Sequence, residues 1–248
     1  MTTVNVPTRP VELVIFDCDG VLVDIEPIAV RVQVEVGAEL GRPLGADEVV
    51  ERFIGRTPAA IRQQVGERLG AAAAAEWERR FERRHRELVD AEPAPVDGIV
   101  AALDALEALG LPHCVASSGS QAKMRHTLGR TGLYERLAGR IFSAEEVARG
   151  KPFPDVFLHA AAGTGHAPGA CAVVEDSPAG MRAARAAGMR RLGCTTGPAA
   201  RALTGGEFGH RHFGKDGYQE GGGDGAPDTV LFSDMRHLPA LLRTLTAG

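Results

Sequence analysis

The sequence predicts an α/β fold, in which a doubly wound parallel sheet is interrupted after its first strand by a helical segment. From about residue 93 onwards, short apolar runs alternate with helical patterns, which is typical of parallel βαβ units. Between residues 25 and 92, Arg, Glu and Ala dominate and the apolar residues recur at helical spacing. We therefore expect an α/β core formed by residues 1–24 and 93–248, and a helical unit formed by residues 25–92.

The first predicted strand, residues 13–16, leads directly into Asp17, Asp19 and Gly20. One residue separates the two aspartates, so in an extended chain both carboxylates would point to the same side. Carboxylates this close repel each other unless one is protonated or a cation lies between them. A divalent cation such as Mg²⁺ prefers oxygen ligands of this kind. A strand that ends in an ordinary Asp-rich turn remains the alternative.

The helical segment contains one stretch whose pattern is ambiguous. Residues 30–36 alternate as in a strand, but the apolar residues from 28 to 40 also form a helical face, and Pro27 suits the first turn of a helix. We predict a helix there. Further helices are predicted from the stripes within residues 61–69 and 77–88.

The boundary at residues 91–95 is followed by the rest of the sheet. Strands are predicted at 111–116, 139–142, 171–174, 191–194 and 229–232, with helices between them. The Gly-rich run 198–227 is expected to be a long, mobile surface loop. Since ligands bind at the carboxyl ends of the strands in open α/β sheets, a helical unit that leaves from this edge would cover the site.

Polar residues follow three of the later strands. They are Ser117, Ser118 and Gly119, then Lys151, and then the pair Glu175 and Asp176. Each group alone has an ordinary alternative: a helix cap, a solvated lysine, or a turn. Together, carboxylates, a hydroxyl and a lysine at one sheet edge indicate phosphoryl transfer, because a metal and a lysine neutralise phosphate charge while an aspartate attacks phosphorus.

Composition excludes several other classes of protein. The net charge of −4 argues against a general nucleic-acid binder. There is no apolar run of the roughly 18–20 residues that a bilayer span needs, and residues 1–10 do not resemble a signal peptide. The four cysteines form no C-x-x-C pair, so we expect free thiols and a cytoplasmic location. Two disulfides in an exported protein are the alternative.

These motifs resemble those of the haloacid dehalogenase superfamily of phosphotransferases. In order, they are D-C-D-G-V-L-V-D at residues 17–24, the strand that ends at Ser117, Lys151 in G-K-P-F-P-D, and V-V-E-D-S-P-A-G at residues 173–180. The likeness is greatest to the branch of capped sugar-phosphate and phosphoglycolate phosphatases that also holds β-phosphoglucomutase. It implies a Rossmann-like core, a four-helix cap and a small phosphorylated metabolite as the substrate.

The resemblance also implies a role for each residue. Asp17 would be the nucleophile that forms an aspartyl-phosphate, and Asp19 would protonate the leaving oxygen and then activate water. Ser117 and Lys151 would hold the phosphoryl oxygens, Lys151 would also offset the charge of the nucleophile, and the backbone of Ser118 and Gly119 would assist. The ligands implied for Mg²⁺ are Asp17, the Asp19 carbonyl, Asp176 and, directly or through water, Glu175.

Three alternatives to a phosphatase remain. A dehalogenase of this superfamily lacks the second aspartate of the first motif and needs no metal. A phosphosugar mutase needs polar groups on the cap, and the positions expected for them hold Ala29 and Pro58. A non-catalytic binding protein on the same fold would be signalled by loss of either aspartate of the first motif, and both are present. In the cap, Gly55 would permit a turn and Arg56 could contact the substrate.

Overall fold

The computed structural model describes residues 10–53, 58–196, 203–204, 211–215, 217–219 and 229–246. The strands found there are β1 (Leu13–Phe16), β2 (Val23–Asp24), β3 (Ala94–Pro95), β4 (His113–Ser117), β5 (Ile141–Ser143), β6 (Cys171–Glu175), β7 (Arg190–Cys194), β8 (Arg211–Gly214), β9 (Gly217–Gln219) and β10 (Thr229–Phe232). The α-helices are α1 (Glu26–Glu39), α2 (Ala46–Arg52), α3 (Pro58–Leu69), α4 (Ala71–Ala91), α5 (Ile99–Ala108), α6 (Gln121–Arg130), α7 (Tyr134–Leu137), α8 (Asp155–Gly163), α9 (Pro178–Ala186) and α10 (Leu238–Thr246).

The main sheet has the order β5-β4-β1-β6-β7-β10-β8-β9, and every neighbouring pair is parallel except β8 and β9. The chain builds outwards from β1 to β4 and β5, and then crosses to β6 on the other side of β1. This reversal makes the carboxyl end of β1 the topological switch point, where open α/β sheets bind their ligands. The predicted doubly wound α/β fold is confirmed.

Both faces of the sheet are covered by helices, as the alternation along β1 requires. Val14 and Phe16 lie in a cluster that includes the apolar residues of α5 and α10. Leu13 and Ile15 face the opposite way and lie in a cluster with α8 and α9. Because β1 is buried on both sides, its sequence reads as a continuous apolar run.

Helices α1 to α4 are inserted between β2 and β3, which pair with each other in an antiparallel manner. They enclose a hydrophobic cluster of their own, in which Val32 and Val36 of α1 are fully buried. The ambiguous stretch 30–36 is therefore helical, as predicted. Its strand-like alternation arises because Val30 and Val34 also pack, partly buried, at the edge of this cluster.

The prediction of a structureless loop over residues 198–227 is wrong for the parts that the structure describes. Strand β8 pairs with β10 in parallel, and β9 folds back on β8 after a turn at Gly217, whose φ is +91°. Leu203 is fully buried and packs with Met181 and Leu231. These strands are short, and apart from the buried Phe213 the sequence of β8 is polar or Gly, so its composition does not indicate a strand.

The other predicted strands are present, with ends that shift by two residues at most. The four cysteines are free and buried, as expected. None of the described helices is long and apolar enough to cross a membrane.

A buried hydrogen bond in the helical unit generates the first prediction. Trp77 of α4 donates from Nε1 to Oε1 of Gln33 in α1 at 2.6 Å, and both side chains are buried. We expect Gln33→Ala to lower the free energy of unfolding by about 1–3 kcal/mol, because the indole N–H loses its acceptor. Urea unfolding followed by tryptophan fluorescence measures this directly, since Trp77 is the only tryptophan in the chain.

Gln63→Ala provides the matched control. Gln63 lies on α3 in the same unit, is exposed, and donates only to Glu67 on its own helix. Its replacement should change the free energy of unfolding by less than about 0.5 kcal/mol. Equal effects of the two substitutions would show that the buried hydrogen bond contributes nothing.

Candidate active site

The turn after β1 presents the first aspartates at the sheet edge. The backbone N–H of Asp17 donates to the carbonyl of Val174 at 3.0 Å, so the pairing with β6 continues up to this residue. The chain then turns at Gly20, whose φ is +81° and whose N–H donates to the carbonyl of Val23 at 2.7 Å. The turn leaves the Asp17 side chain buried and that of Asp19 more open to solvent.

Lys151 places a buried ammonium between two carboxylates. Its Nζ lies 2.5 Å from Oδ1 of Asp17 and 2.7 Å from Oε1 of Glu175, and the three side chains are 5%, 11% and 1% exposed respectively. The ammonium also lies 4.8 Å from the centre of the Phe157 ring. A residue that the sequence places 134 positions from Asp17 is thus a direct partner of the predicted nucleophile.

Glu175 is fixed through both of its carboxylate oxygens. Oε1 accepts from Lys151, while Oε2 accepts from the backbone N–H and the hydroxyl of Ser177 at 2.8 and 2.9 Å. The Ser177 hydroxyl in turn accepts from the Gly180 N–H and caps α9. A Cβ at residue 180 would lie 1.7 Å from Oε1, so only glycine leaves room for this carboxylate.

Asp176 completes a group of three carboxylates. Ligand atoms of Asp17, Glu175 and Asp176 all lie within 4.8 Å of one another. A Cβ at Gly20 would lie 2.0 Å from Oδ2 of Asp176, so any side chain there would collide with this carboxylate. Gly20 and Gly180, the two glycines that flank the carboxylates, thus both leave room for them.

The electrostatics of the group follow from burial. Burial raises the pKa of Asp17 to about 7, against the opposing charge of Lys151. Burial, and then the charges of Glu175 and Asp17, raise the pKa of Asp176 well above its usual range. Burial alone would lower the pKa of Lys151, but the two carboxylates outweigh it and raise that pKa, so the ammonium stays charged.

The donor set fits a hard divalent cation. Three carboxylates share one ammonium, which leaves two negative charges to be balanced when all three are ionised. Oxygen ligands within this span match the preference of Mg²⁺. The backbone at Gly20 approaches the Asp176 carboxylate closely, and it directly follows Asp19, whose carbonyl was expected to be a further ligand.

Ser117 ends β4, the strand beside β1, and is therefore at the same sheet edge as Asp17. Its hydroxyl accepts from the Gly119 N–H at 3.1 Å, so that N–H is directed at Ser117. The Gly119 carbonyl accepts from the buried Ser143 hydroxyl at 2.7 Å, which anchors the turn to β5. Ser118 is exposed, and Ser120 rather than Ser118 caps α6.

Lys123 is a charged partner that the sequence did not identify. It lies on α6, and its ammonium forms an ion pair with Oδ2 of Asp19. The available signal was its rarity, because the chain contains only three lysines and 25 arginines among its 28 basic residues. The predicted cap residues Gly55 and Arg56 lie outside the described residues.

The structure thus brings together Asp17, Lys151, Glu175 and Asp176 through direct contacts or close approach. Asp19 forms a separate pair with Lys123. Ser117 and Gly119 lie one strand away, in a turn of their own. Carboxylates, an ammonium and a hydroxyl meet at the carboxyl ends of parallel strands, an arrangement suited to chemistry on an anionic group.

Comparison with known proteins agrees with this arrangement. The profile of the haloacid dehalogenase-like hydrolase family matches residues 11–188. The 6-phosphogluconate phosphatase of Escherichia coli is 35% identical over 180 residues, which cover 72% of this chain and 80% of that protein. Hexitol phosphatase A of the same organism is 36% identical over 179 residues, covering 70% and 78% of the two chains.

A solved structure extends the likeness beyond the matched segment. The crystal structure of a conserved haloacid dehalogenase-like protein of unknown function from Agrobacterium tumefaciens superposes with a TM-score of 0.75 at 32% identity, over 94% of this chain and 98% of that one. The prediction of a phosphoric monoester hydrolase is confirmed, since the two relatives named above are phosphatases. The chain belongs to the haloacid dehalogenase-like hydrolase family.

Proposed function

We propose that this protein is a Mg²⁺-dependent phosphatase that hydrolyses a small phosphorylated metabolite through an aspartyl-phosphate on Asp17. The observation that carries the proposal is the Asp17 carboxylate, held at 2.5 Å by Lys151 beside Glu175 and Asp176. A buried carboxylate oriented by an ammonium is a positioned nucleophile, and the surrounding charges receive an anionic substrate.

In the first half-reaction, an Asp17 oxygen attacks phosphorus and the bond between phosphorus and the leaving oxygen breaks. Asp19 donates a proton to that oxygen, so a neutral alcohol departs. In the second half-reaction, Asp19 takes a proton from water, and the water oxygen attacks the phosphorus of the aspartyl-phosphate. Phosphate leaves and the Asp17 carboxylate is restored.

The other residues hold the phosphoryl group and its charge. The ammonium of Lys151 donates to Asp17 and Glu175, and it has a third N–H to offer a phosphoryl oxygen. The Ser117 hydroxyl already accepts from Gly119, so its own hydrogen is available to donate to the same group. We assign the backbone of Ser118 to this cradle as well.

Asp17, Asp176 and the Asp19 carbonyl would hold Mg²⁺, which supplies positive charge to the phosphoryl oxygens when bound. Glu175, whose two oxygens are engaged by Lys151 and Ser177, keeps the ammonium in place and contributes to the charge of the site. Helices α1 to α4 would act as the cap that covers this edge of the sheet.

The names of two relatives support the substrate class that we propose. The two curated phosphatases are named for phosphorylated sugar acids and hexitols, which supports a small, polyhydroxylated phosphate monoester as substrate. A phosphosugar mutase is the second candidate, and Ala29 of α1 does not favour it, since its side chain cannot bind a second phosphate.

The metal assignment predicts complete loss of turnover on chelation. A screen of phosphorylated metabolites for released phosphate should show activity with Mg²⁺, none with excess chelator, and recovery when Mg²⁺ is restored. The reason is that the carboxylates of Asp17, Glu175 and Asp176 would otherwise repel the substrate phosphate. Full activity in excess chelator would exclude a metal at this site.

The two aspartates of the turn should give different defects. Asp17→Asn should abolish both turnover and the formation of the acid-stable phospho-enzyme, because the nucleophile is removed. Asp19→Asn should retain the nucleophile but lower kcat by about a hundredfold to ten-thousandfold, since both proton transfers are lost. Rapid-quench trapping with ³²P-labelled substrate measures both. Near wild-type turnover in the Asp17→Asn variant would rule out attack by Asp17.

Hydrolysis should dominate over phosphoryl transfer to sugar. A mutase must protect the aspartyl-phosphate until a second sugar hydroxyl attacks, which requires polar cap groups that Ala29 does not provide. With a hexose 1-phosphate followed by phosphorus NMR, we expect inorganic phosphate as the product, with or without a bisphosphate primer. Faster formation of the 6-phosphate would favour the mutase.

A further inference from the structure

We propose that Lys123 is a positioning residue for catalysis, which holds Asp19 in the orientation that proton transfer requires. This inference rests on the proposed role of Asp19 as acid and base. It concerns a residue that lies 104 positions from Asp19 in the sequence and on a different element, α6.

The two oxygens of Asp19 have different surroundings. Oδ2 forms the ion pair with the Lys123 ammonium. Oδ1 is buried and has no hydrogen-bond partner among the described residues. An ion pair through one oxygen restricts the rotation of the Asp19 side chain, so it narrows the range of positions that the second oxygen can take during proton transfer.

Lys123 extends from a firmly anchored part of α6. Its backbone N–H donates to the Ser120 hydroxyl at 3.1 Å, which caps the helix. Gln121 in the same turn donates to the Ile141 carbonyl at 2.8 Å and to Glu146 at 3.0 Å. The base of the lysine is thereby tied to β5, and its position follows that of the core.

The lysine of the ion pair borders the space between the core and the inserted helices. A cavity of about 870 Å³ lies between α4 and α6, and Lys123 lines it together with His85 and Phe81 of α4 and His126 of α6. The residue that contacts Asp19 therefore lies at the junction between the core and the inserted helices.

The alternative is an ion pair that only stabilises the turn. The Lys123 and Asp19 side chains are 38% and 26% exposed, and exposed pairs of this kind contribute about 0–1 kcal/mol. On that alternative, loss of Lys123 would lower stability slightly and leave both half-reactions intact. The two accounts therefore differ in the rates of the chemical steps.

A double-mutant comparison separates them, with p-nitrophenyl phosphate as the probe. We expect Lys123→Met to lower kcat and the rate of phospho-enzyme hydrolysis by about tenfold to a hundredfold, with KM little changed, because a misplaced catalytic group costs factors of this size. Lys123→Arg, which keeps the charge, should restore part of the rate. The Asp19→Asn variant and the Asp19→Asn, Lys123→Met double variant should be equally slow, since the lysine acts only through the aspartate.

The leaving group supplies a second readout. Phenyl phosphate has a poorer leaving group than p-nitrophenyl phosphate and needs more protonation by Asp19. The Lys123→Met substitution should therefore lower kcat/KM more for phenyl phosphate than for p-nitrophenyl phosphate. Lys215→Met is the matched control, because Lys215 is an exposed lysine in the turn after β8, and it should leave all of these rates unchanged.

Three results would contradict either the inference about Lys123 or the proposed role of Asp19 on which it rests. Multiplicative effects in the double variant, or equal losses with both aryl phosphates, would show that Lys123 does not act through Asp19. An Asp19→Asn variant with normal rates would instead contradict the proposed function. If Lys123→Met does not fold, as judged by Trp77 fluorescence, Lys123→Gln takes its place in the same comparison.

Discussion

The contact on which the site depends is the ammonium of Lys151 between the carboxylates of Asp17 and Glu175. Two carboxylates buried this deeply would repel each other and would lose their hydration, and each cost alone amounts to several kcal/mol. The lysine offsets both, and its own burial is offset by the two negative charges. Neither the negative nor the positive charges could be buried here alone, so Asp17, the proposed nucleophile, forms one unit with Lys151 and Glu175.

That unit also requires space, which two glycines provide. Gly180, in the first turn of α9, lies so close to Glu175 that any side chain would collide with the carboxylate, and the same holds for Gly20 and Asp176. At Gly20, the left-handed conformation of the turn adds a second requirement for glycine. The backbone therefore lies close to the carboxylates, and three of them fit within a small volume.

The sequence predicted this part of the site because parallel strands place their carboxyl ends at one edge. Once the apolar runs were identified, Asp17, Lys151, Glu175 and Asp176 were assigned to that edge without knowledge of any distance. The packing of the helices could not be predicted in this way. Lys123 and Ser143 act through contacts between elements far apart in the sequence, and neither follows an apolar run in a manner that distinguishes it from a surface or capping residue.

The same limit applied to the fold. At residues 30–36 the helix was predicted from its helical face and Pro27, but the strand-like alternation is explained only by the packing of α1 against the other inserted helices, which bury its residues on more than one side. Strands β8 and β9 escaped prediction because hydrogen bonds between strands, from β8 to β10 and from β9 to β8, define them rather than apolar composition. An element whose apolar residues form one buried face can be predicted from the sequence. An element that is defined by its pairing with a neighbouring strand cannot.

Helix α6 contacts both the α/β core and the inserted helices. Near the start of α6, Lys123 forms its ion pair with Asp19. One or two turns further on, α6 contacts the C-terminal end of α4. There, His126 Nε2 lies 3.1 Å from the Asp90 carbonyl, and Arg130 donates to the Ala91 carbonyl at 2.7 Å. Carbonyls at a helix C-terminus lack partners within their own helix, and a cation there also meets the negative end of the helix dipole. The inserted helices are therefore docked on the helix that carries Lys123, so in the proposed mechanism the enclosure of substrate and the proton transfer by Asp19 would depend on the same helix.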